Sequence, residues 1–302
     1  MINARLTFYP IAKNLYVLAM EYLAAIQNDT TLEFSEDYIL NDENRNYPRY
    51  FNGDIWKPWL WSRIDRRNSD TKTGWELYFN PWKNNEVIKL QNGNKENSII
   101  TYGKCLEQIF RPNEYIMNNF VEKYKFISDK KKLCIVVRRG DCKNLVNKIV
   151  KCKSIDYYIK YIKNYNPTEY DIYVSSDSVD IVLEELRDLL PEYNFHYSKY
   201  SSNLDFLPSD GSDIEVFCQK NPHHIETVMI SAIIDLYNIG LCDAFIGPYK
   251  YSVFSRVGVL LMIGRLGYVP KENIFDISED VDPLLTLNEI VMIDNKLIKN
   301  RF

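Results

Sequence analysis

Apolar positions follow two regimes along the chain. In the second half, short continuous apolar runs alternate with stretches at helical spacing. Leu133-Cys134-Ile135-Val136-Val137 is apolar throughout, as in a strand buried on both faces of a parallel sheet. A helix is expected over 154–164 with Ser154 as its cap, then a strand over 171–175. Ser176-Asp177-Ser178 reads as loop and N-cap, and a helix over 179–190 stops at Pro191. A short strand at 194–197 and a polar loop at 199–223 follow. The spacing then predicts an apolar helix over 225–239, a strand at 244–246, a turn at Gly247-Pro248, and a helix over 252–263. Such alternation means a parallel sheet with helices on both faces.

The first half is less regular. Residues 5–9 read as a strand broken by Pro10. Leu15, Leu18, Ala19, Tyr22, Leu23 and Ile26 give helical spacing over 14–26, and 31–34 reads as the next strand. Periodicity is poor over 41–98, which holds all five tryptophans: Trp56, Trp59, Trp61, Trp75 and Trp82. Rigid rings here serve either as anchors for an irregular excursion or as a cleft wall stacking on sugar faces. From 102 to 124 the pattern turns helical, interrupted at Arg111-Pro112-Asn113, with Ile116, Phe120, Val121 and Tyr124 on one face. The expected division is residues 1–125 and 126–302, two Rossmann-like α/β domains facing a central cleft, with the last helix placed to pack back on the first domain.

Composition removes several function classes. The 302 residues are 46% hydrophobic and 26% charged, with a net charge of −4. A polyanion-binding protein is usually basic, so no nucleic-acid partner is expected and any phosphate site is local. The six cysteines, at 105, 134, 142, 152, 218 and 242, form no CxxC pair, which suits reduced thiols rather than disulfides or zinc. No apolar run is long enough for a membrane span and no charged-then-apolar leader is present, so a cytoplasmic protein is expected. Neither GxGxxG nor GxxxxGK[ST] occurs, against a P-loop NTPase and a standard dinucleotide site.

Candidate chemistry gathers where the strands end. Arg138 and Arg139 follow the buried strand directly, where open α/β sheets bind ligands; two guanidinium groups there form a fork for phosphate. Ser176 and Asp177 follow the neighbouring strand, where the carboxylate suits a ribose, a base or a helix N-cap. Asp235 sits on an apolar helix and, being costly to bury alone, faces either solvent or a specific donor; guanine's adjacent N–H groups suit it. Ser252 opens a helix whose N-terminal N–H groups form a second phosphate cradle. His223-His224 makes a weak metal candidate, and no metal is expected.

The segments Val-Val-Arg-Arg-Gly-Asp, Tyr-Val-Ser-Ser-Asp and Asp-Leu-Tyr…Cys-Asp-Ala-Phe-Ile-Gly…Ser-Val-Phe-Ser-Arg resemble the C-terminal motifs of GDP-fucose-dependent fucosyltransferases, the α1,2-, α1,6- and protein O-fucosyltransferase superfamily. The resemblance covers about residues 133–264. It implies a GT-B-like fold and metal-independent, inverting transfer of fucose from GDP-fucose to a glycan acceptor, with no cofactor beyond the donor. Carried over by position, Arg138 touches the donor β-phosphate, Asp177 and Asp235 serve the nucleotide, and Ser252 and Val253 form the pair before the last helix. The chain departs from the pattern at Val136, where the family has histidine, at Val253, where it has a polar residue, and in lacking the N-terminal glycine-rich turn. Asp141, Glu226 and Asp37 are the candidate bases, and Trp56, Trp59 and Trp61 the acceptor side. Another nucleotide-sugar transferase on the same fold, or a non-catalytic glycan- or nucleotide-binding module, fits the same residues.

Overall fold

The computed structural model describes residues 2–4, 32–34, 95–139, 153–201 and 221–277, together with positions 12, 15, 16, 18–20, 22, 23 and 79. Five strands form one parallel sheet: β3 (Lys131–Val137), β4 (Tyr170–Ser176), β5 (Phe195–His196), β6 (Ala244–Gly247) and β7 (Ile274–Asp276). Their order is β5-β4-β3-β6-β7, with β3 at the centre. Chain order thus runs outward from β3 to one edge, then returns to its other side. This is the doubly wound α/β arrangement. A separate parallel pair joins β1 (Ile2–Ala4) and β2 (Leu32–Phe34), with helical residues between them at positions 12, 15, 16, 18–20, 22 and 23. The expected strand–helix–strand opening is therefore present. Its first strand is described at 2–4; the expected strand at 5–9 lies outside the described residues.

β3 shows why a strand with no polar alternation forms here. Leu133, Ile135 and Val137 pack into one core with helices α2 (Ile155–Ile162) and α3 (Val179–Leu189). Cys134 and Val136 pack into the opposite core with α4 (Ile225–Gly240) and α5 (Val253–Leu266). Both faces of the pleat are buried, so both phases of the period-two pattern must be apolar. The helices follow the expected elements closely. The last strand, β7, has no counterpart in the sequence reading.

The second core continues into the first half. Leu15, Leu18 and Ala19 and helix α1 (Lys95–Ile109) share it with α4 and α5. α1 and α5 meet backbone to backbone. A Cβ added at Gly103 would lie 2.5 Å from the Leu260 carbonyl oxygen and 2.7 Å from the Gly264 nitrogen, so both helices need glycine at the crossing. Tyr102 beside it donates to the Tyr16 carbonyl at 2.5 Å, and Arg256 lies over the Tyr16 ring. α5 ends at Gly267, whose φ of 73° suits glycine at a helix C-terminus.

Because the obstructing atoms at Gly103 are backbone, Gly103→Ala must push the helices apart. A loss of about 2–3 kcal/mol in unfolding free energy is expected, read by denaturant melts. Gly267→Ala, which meets only the left-handed φ and open space, should cost about 1 kcal/mol.

Candidate functional site

The register sets the site. Val137 aligns with Ser176, Ile135 with Ile246, and Gly247 with Asp276. The segments beginning at Arg138, Asp177, Pro248 and Ile277 therefore leave the sheet along one edge. α2 and α3 cover one face and α4 and α5 the other, so β3 and β6 flank the point where the connections reverse. Doubly wound sheets open a ligand crevice at that point.

Arg138 and Arg139 are both half-buried at this edge. Their roles separate. The Arg139 guanidinium pairs with Glu185 of α3, and its backbone N–H donates to Asp177 Oδ1 at 2.8 Å. Arg139 thereby braces the β3 end against α3. Asp177 Oδ1 in this way ties the β4 loop to the β3 loop. Ser178 is the cap position of α3, without a side-chain bond, and Ser176 Oγ accepts its N–H at 3.1 Å. Ser154 likewise holds the cap position of α2 without a side-chain cap; its hydroxyl meets Asp156.

A buried phenol reports how the charges converge. Tyr158 of α2 donates to the Val136 carbonyl at 3.0 Å. Burial pushes that phenol up; the Arg139 charge opposes the rise, Asp177 adds to it, Arg138 opposes it and Asp276 adds to it. All four charged groups lie within electrostatic reach of one hydroxyl at the end of β3. Asp276, unforeseen in the sequence, is buried and accepts the Lys250 N–H at 2.7 Å. Arg256 binds the Lys250 and Tyr249 carbonyls at 2.7 and 3.3 Å. The turn between β6 and α5 is therefore clamped from both sides, which aims the α5 N-terminus. Ser252 caps it, accepting the Ser255 N–H at 3.3 Å; it is buried, and its lone pair serves the helix. Val253, half-buried, is the first residue of α5.

Asp235 belongs to a different construction. It is buried, and both oxygens are taken by hydroxyls: Tyr173 at 2.6 Å, Ser175 at 2.8 Å and Ser201 at 3.2 Å. Ser201 also bonds Ser231 at 3.0 Å. Three donors of the chain itself meet it, between β4 and α4. Asn238, one turn on, donates to Tyr173 Oη and the Tyr124 carbonyl, and accepts the Phe126 N–H at 2.7 Å. The hub thereby fixes the segment that leads into β3. Glu226 is exposed in the first turn of α4. Asp141, Asp37, Trp56, Trp59 and Trp61 lie outside the described residues. Among the described residues no three His, Cys, Asp or Glu side chains gather as a metal needs, and no described helix is long and apolar enough to cross a membrane.

Neither a protein-family model nor a curated protein matches the chain. Among solved structures, the NodZ α-1,6-fucosyltransferase soaked with GDP-fucose is similar at 16% identity, with a TM-score of 0.39 over 83% of this chain and 89% of that one. The fucosyltransferase NodZ from Bradyrhizobium gives 16% and 0.39 over 83% and 90%, and its Se-Met form 14% and 0.43 over 83% and 89%. All three TM-scores lie under 0.5, so the fold class rests on the sheet order and register above.

Burial pushes the Asp235 carboxyl up to about 6, against the hydroxyls that favour its charge. The folded chain then holds a proton that the unfolded chain releases near pH 4. Stability from this group is full below about pH 4 and is lost as pH rises through 6. Asp235→Asn stays neutral throughout. Between pH 4 and 7 the wild type should lose about 2–3 kcal/mol relative to that variant; a constant difference across the range contradicts the assignment.

Proposed function

We propose that the chain is a glycosyltransferase that takes fucose from GDP-fucose and places it on a glycan hydroxyl, with inversion and without a metal. One observation carries this reading: Arg138 leaves the central strand at the switch point of a doubly wound sheet, beside the clamped N-terminus of α5. The motif resemblance over residues 133–264 supports GDP-fucose as the donor.

The chemistry follows from charge. As the bond between the sugar's anomeric carbon and the β-phosphate oxygen breaks, the electron pair leaves with the diphosphate. Fixed cations and N–H dipoles must take up that charge. The Arg138 guanidinium suits it bidentately, and the α5 N-terminus adds its partial positive charge. Arg139, committed to Glu185, holds the β3 end in place. The acceptor hydroxyl attacks the opposite face of the sugar, and its proton passes to a carboxylate. Glu226 is the candidate on a described element; Asp141 and Asp37 are the other two named from the sequence.

Thermal shift with GDP against UDP tests the donor; GDP is expected to raise the melting temperature and UDP to do so less. Arg138→Ala should keep the unliganded melting temperature within a degree or two. It should weaken GDP binding by about 10–100-fold and reduce transfer by about 10²–10³-fold. Wild-type turnover in that variant overturns the proposal.

A further inference from the structure

Two buried side chains from different elements grip the turn between β6 and α5. Asp276 ends β7 level with Gly247, the last residue of β6. It is 5% exposed, and its Oδ2 accepts the Lys250 N–H at 2.7 Å. Arg256, 8% exposed, reaches back from the end of the first turn of α5. Its Nη2 donates to the Lys250 carbonyl at 2.7 Å and its Nε to the Tyr249 carbonyl at 3.3 Å. The peptide groups on either side of Lys250 are thereby fixed, one by a carboxylate through its N–H, the other by a guanidinium through its carbonyl. Backbone bonds complete the link. The Ser252 N–H meets the Pro248 carbonyl at 2.8 Å, and the Arg256 N–H meets the Ser252 carbonyl at 3.0 Å. The end of β7 is thus joined, through one residue of the turn, to the start of α5.

A carboxylate is an unexpected group at this place. Asp276 lies within electrostatic reach of the Tyr158 hydroxyl, as do Arg138, Arg139 and Asp177. Its charge therefore shares the sheet edge with the cation assigned to the diphosphate. By Coulomb's law an acid there opposes an incoming anion, and burying it is costly unless bonds satisfy it. What it does to the turn accounts for its presence. A charge-assisted bond to a backbone N–H is shorter and stronger than a neutral one. The object it aims is the start of α5. Of the first-turn N–H groups, that of Ser252 goes to Pro248 and that of Ser255 to Ser252 Oγ at 3.3 Å. Val253 and Phe254 supply the other two that a helix N-terminus presents to an anion. Donors held in place beforehand stabilise an oxyanion without reorganising when it arrives.

We propose that Asp276 is a positioning residue for the donor: through the Lys250 N–H it holds the Val253 and Phe254 N–H groups where the diphosphate of a nucleoside diphosphate arrives, and it touches no ligand itself. The clamp stands on the bonds above; its use by the donor rests on the transferase reading. Asparagine at 276 keeps an oxygen that can accept the Lys250 N–H, whereas alanine keeps none.

Amide hydrogen exchange and calorimetry on the full chain test the two parts separately. The Lys250 amide is expected to be protected in the wild type. Asp276→Ala should speed its exchange about tenfold or more while the β3 amides change little, and Asp276→Asn should keep most of the protection. Dissociation constants are then compared for GDP and for guanosine, well below the melting temperature. Asp276→Ala should weaken GDP about tenfold and guanosine less than about twofold, because the lost bond acts on the phosphate side. Asp276→Asn should bind GDP within about threefold of the wild type. Asp276→Val, which suits a strand and offers no acceptor, takes the place of Asp276→Ala if the latter does not fold. Equal Lys250 exchange in wild type and Asp276→Ala, equal GDP binding by the two, or GDP and guanosine weakened alike overturns the positioning role. A protected Lys250 amide in a wild type that binds no GDP leaves the clamp standing and overturns its use by the donor together with the donor reading.

Discussion

A strand buried on both faces has no room for charge along its length. β3 lies at the centre of the sheet with a helical layer against each side, and its five inner positions are all apolar. Polar chemistry on such an element is confined to its ends. At the amino end it is met by solvated lysines. At the carboxyl end it meets Arg138, Arg139, Asp177 and Asp276, arriving from three strands. The packing requirement and the location of the site are one constraint seen from two directions.

Much of this was legible from pattern. The alternation of apolar runs and helical spacings after residue 125 gave the elements from β3 to α5 nearly at their observed bounds, because each is amphipathic or wholly buried in a way its spacing reveals. Arg138 was legible because a charge directly after such a run has only one place to go. Partnership was not legible. Glu185 is one acid among several on α3, and nothing local marks it as the mate of Arg139, 46 positions away. Asp276 ends a three-residue strand too short to show a period. Asp235 was seen as an acid on an apolar helix, but its three hydroxyl partners come from two further segments, which only folding brings together. The π turn at Met117–Val121 leaves no periodic signature, since one inserted residue looks like ordinary noise in an amphipathic pattern.

The hydroxyl hub around Asp235 shows how a polar group is retained inside an apolar layer. Each oxygen has at least one donor, and the neighbouring Asn238 uses both its amide ends. A half-satisfied network would cost more than an apolar replacement. A satisfied one specifies a single arrangement of β4, α4 and the segment entering β3.

Met117–Val121 widens one turn of the helical stretch 114–124 into a π-helix, and Tyr115 and Phe120, five apart, meet edge to face across it. Loss of one codon there would restore ordinary helix and turn one ring away from the other; gain of one reverses it. A single inserted or deleted residue can therefore rephase this stretch while the strands of the sheet stay as they are.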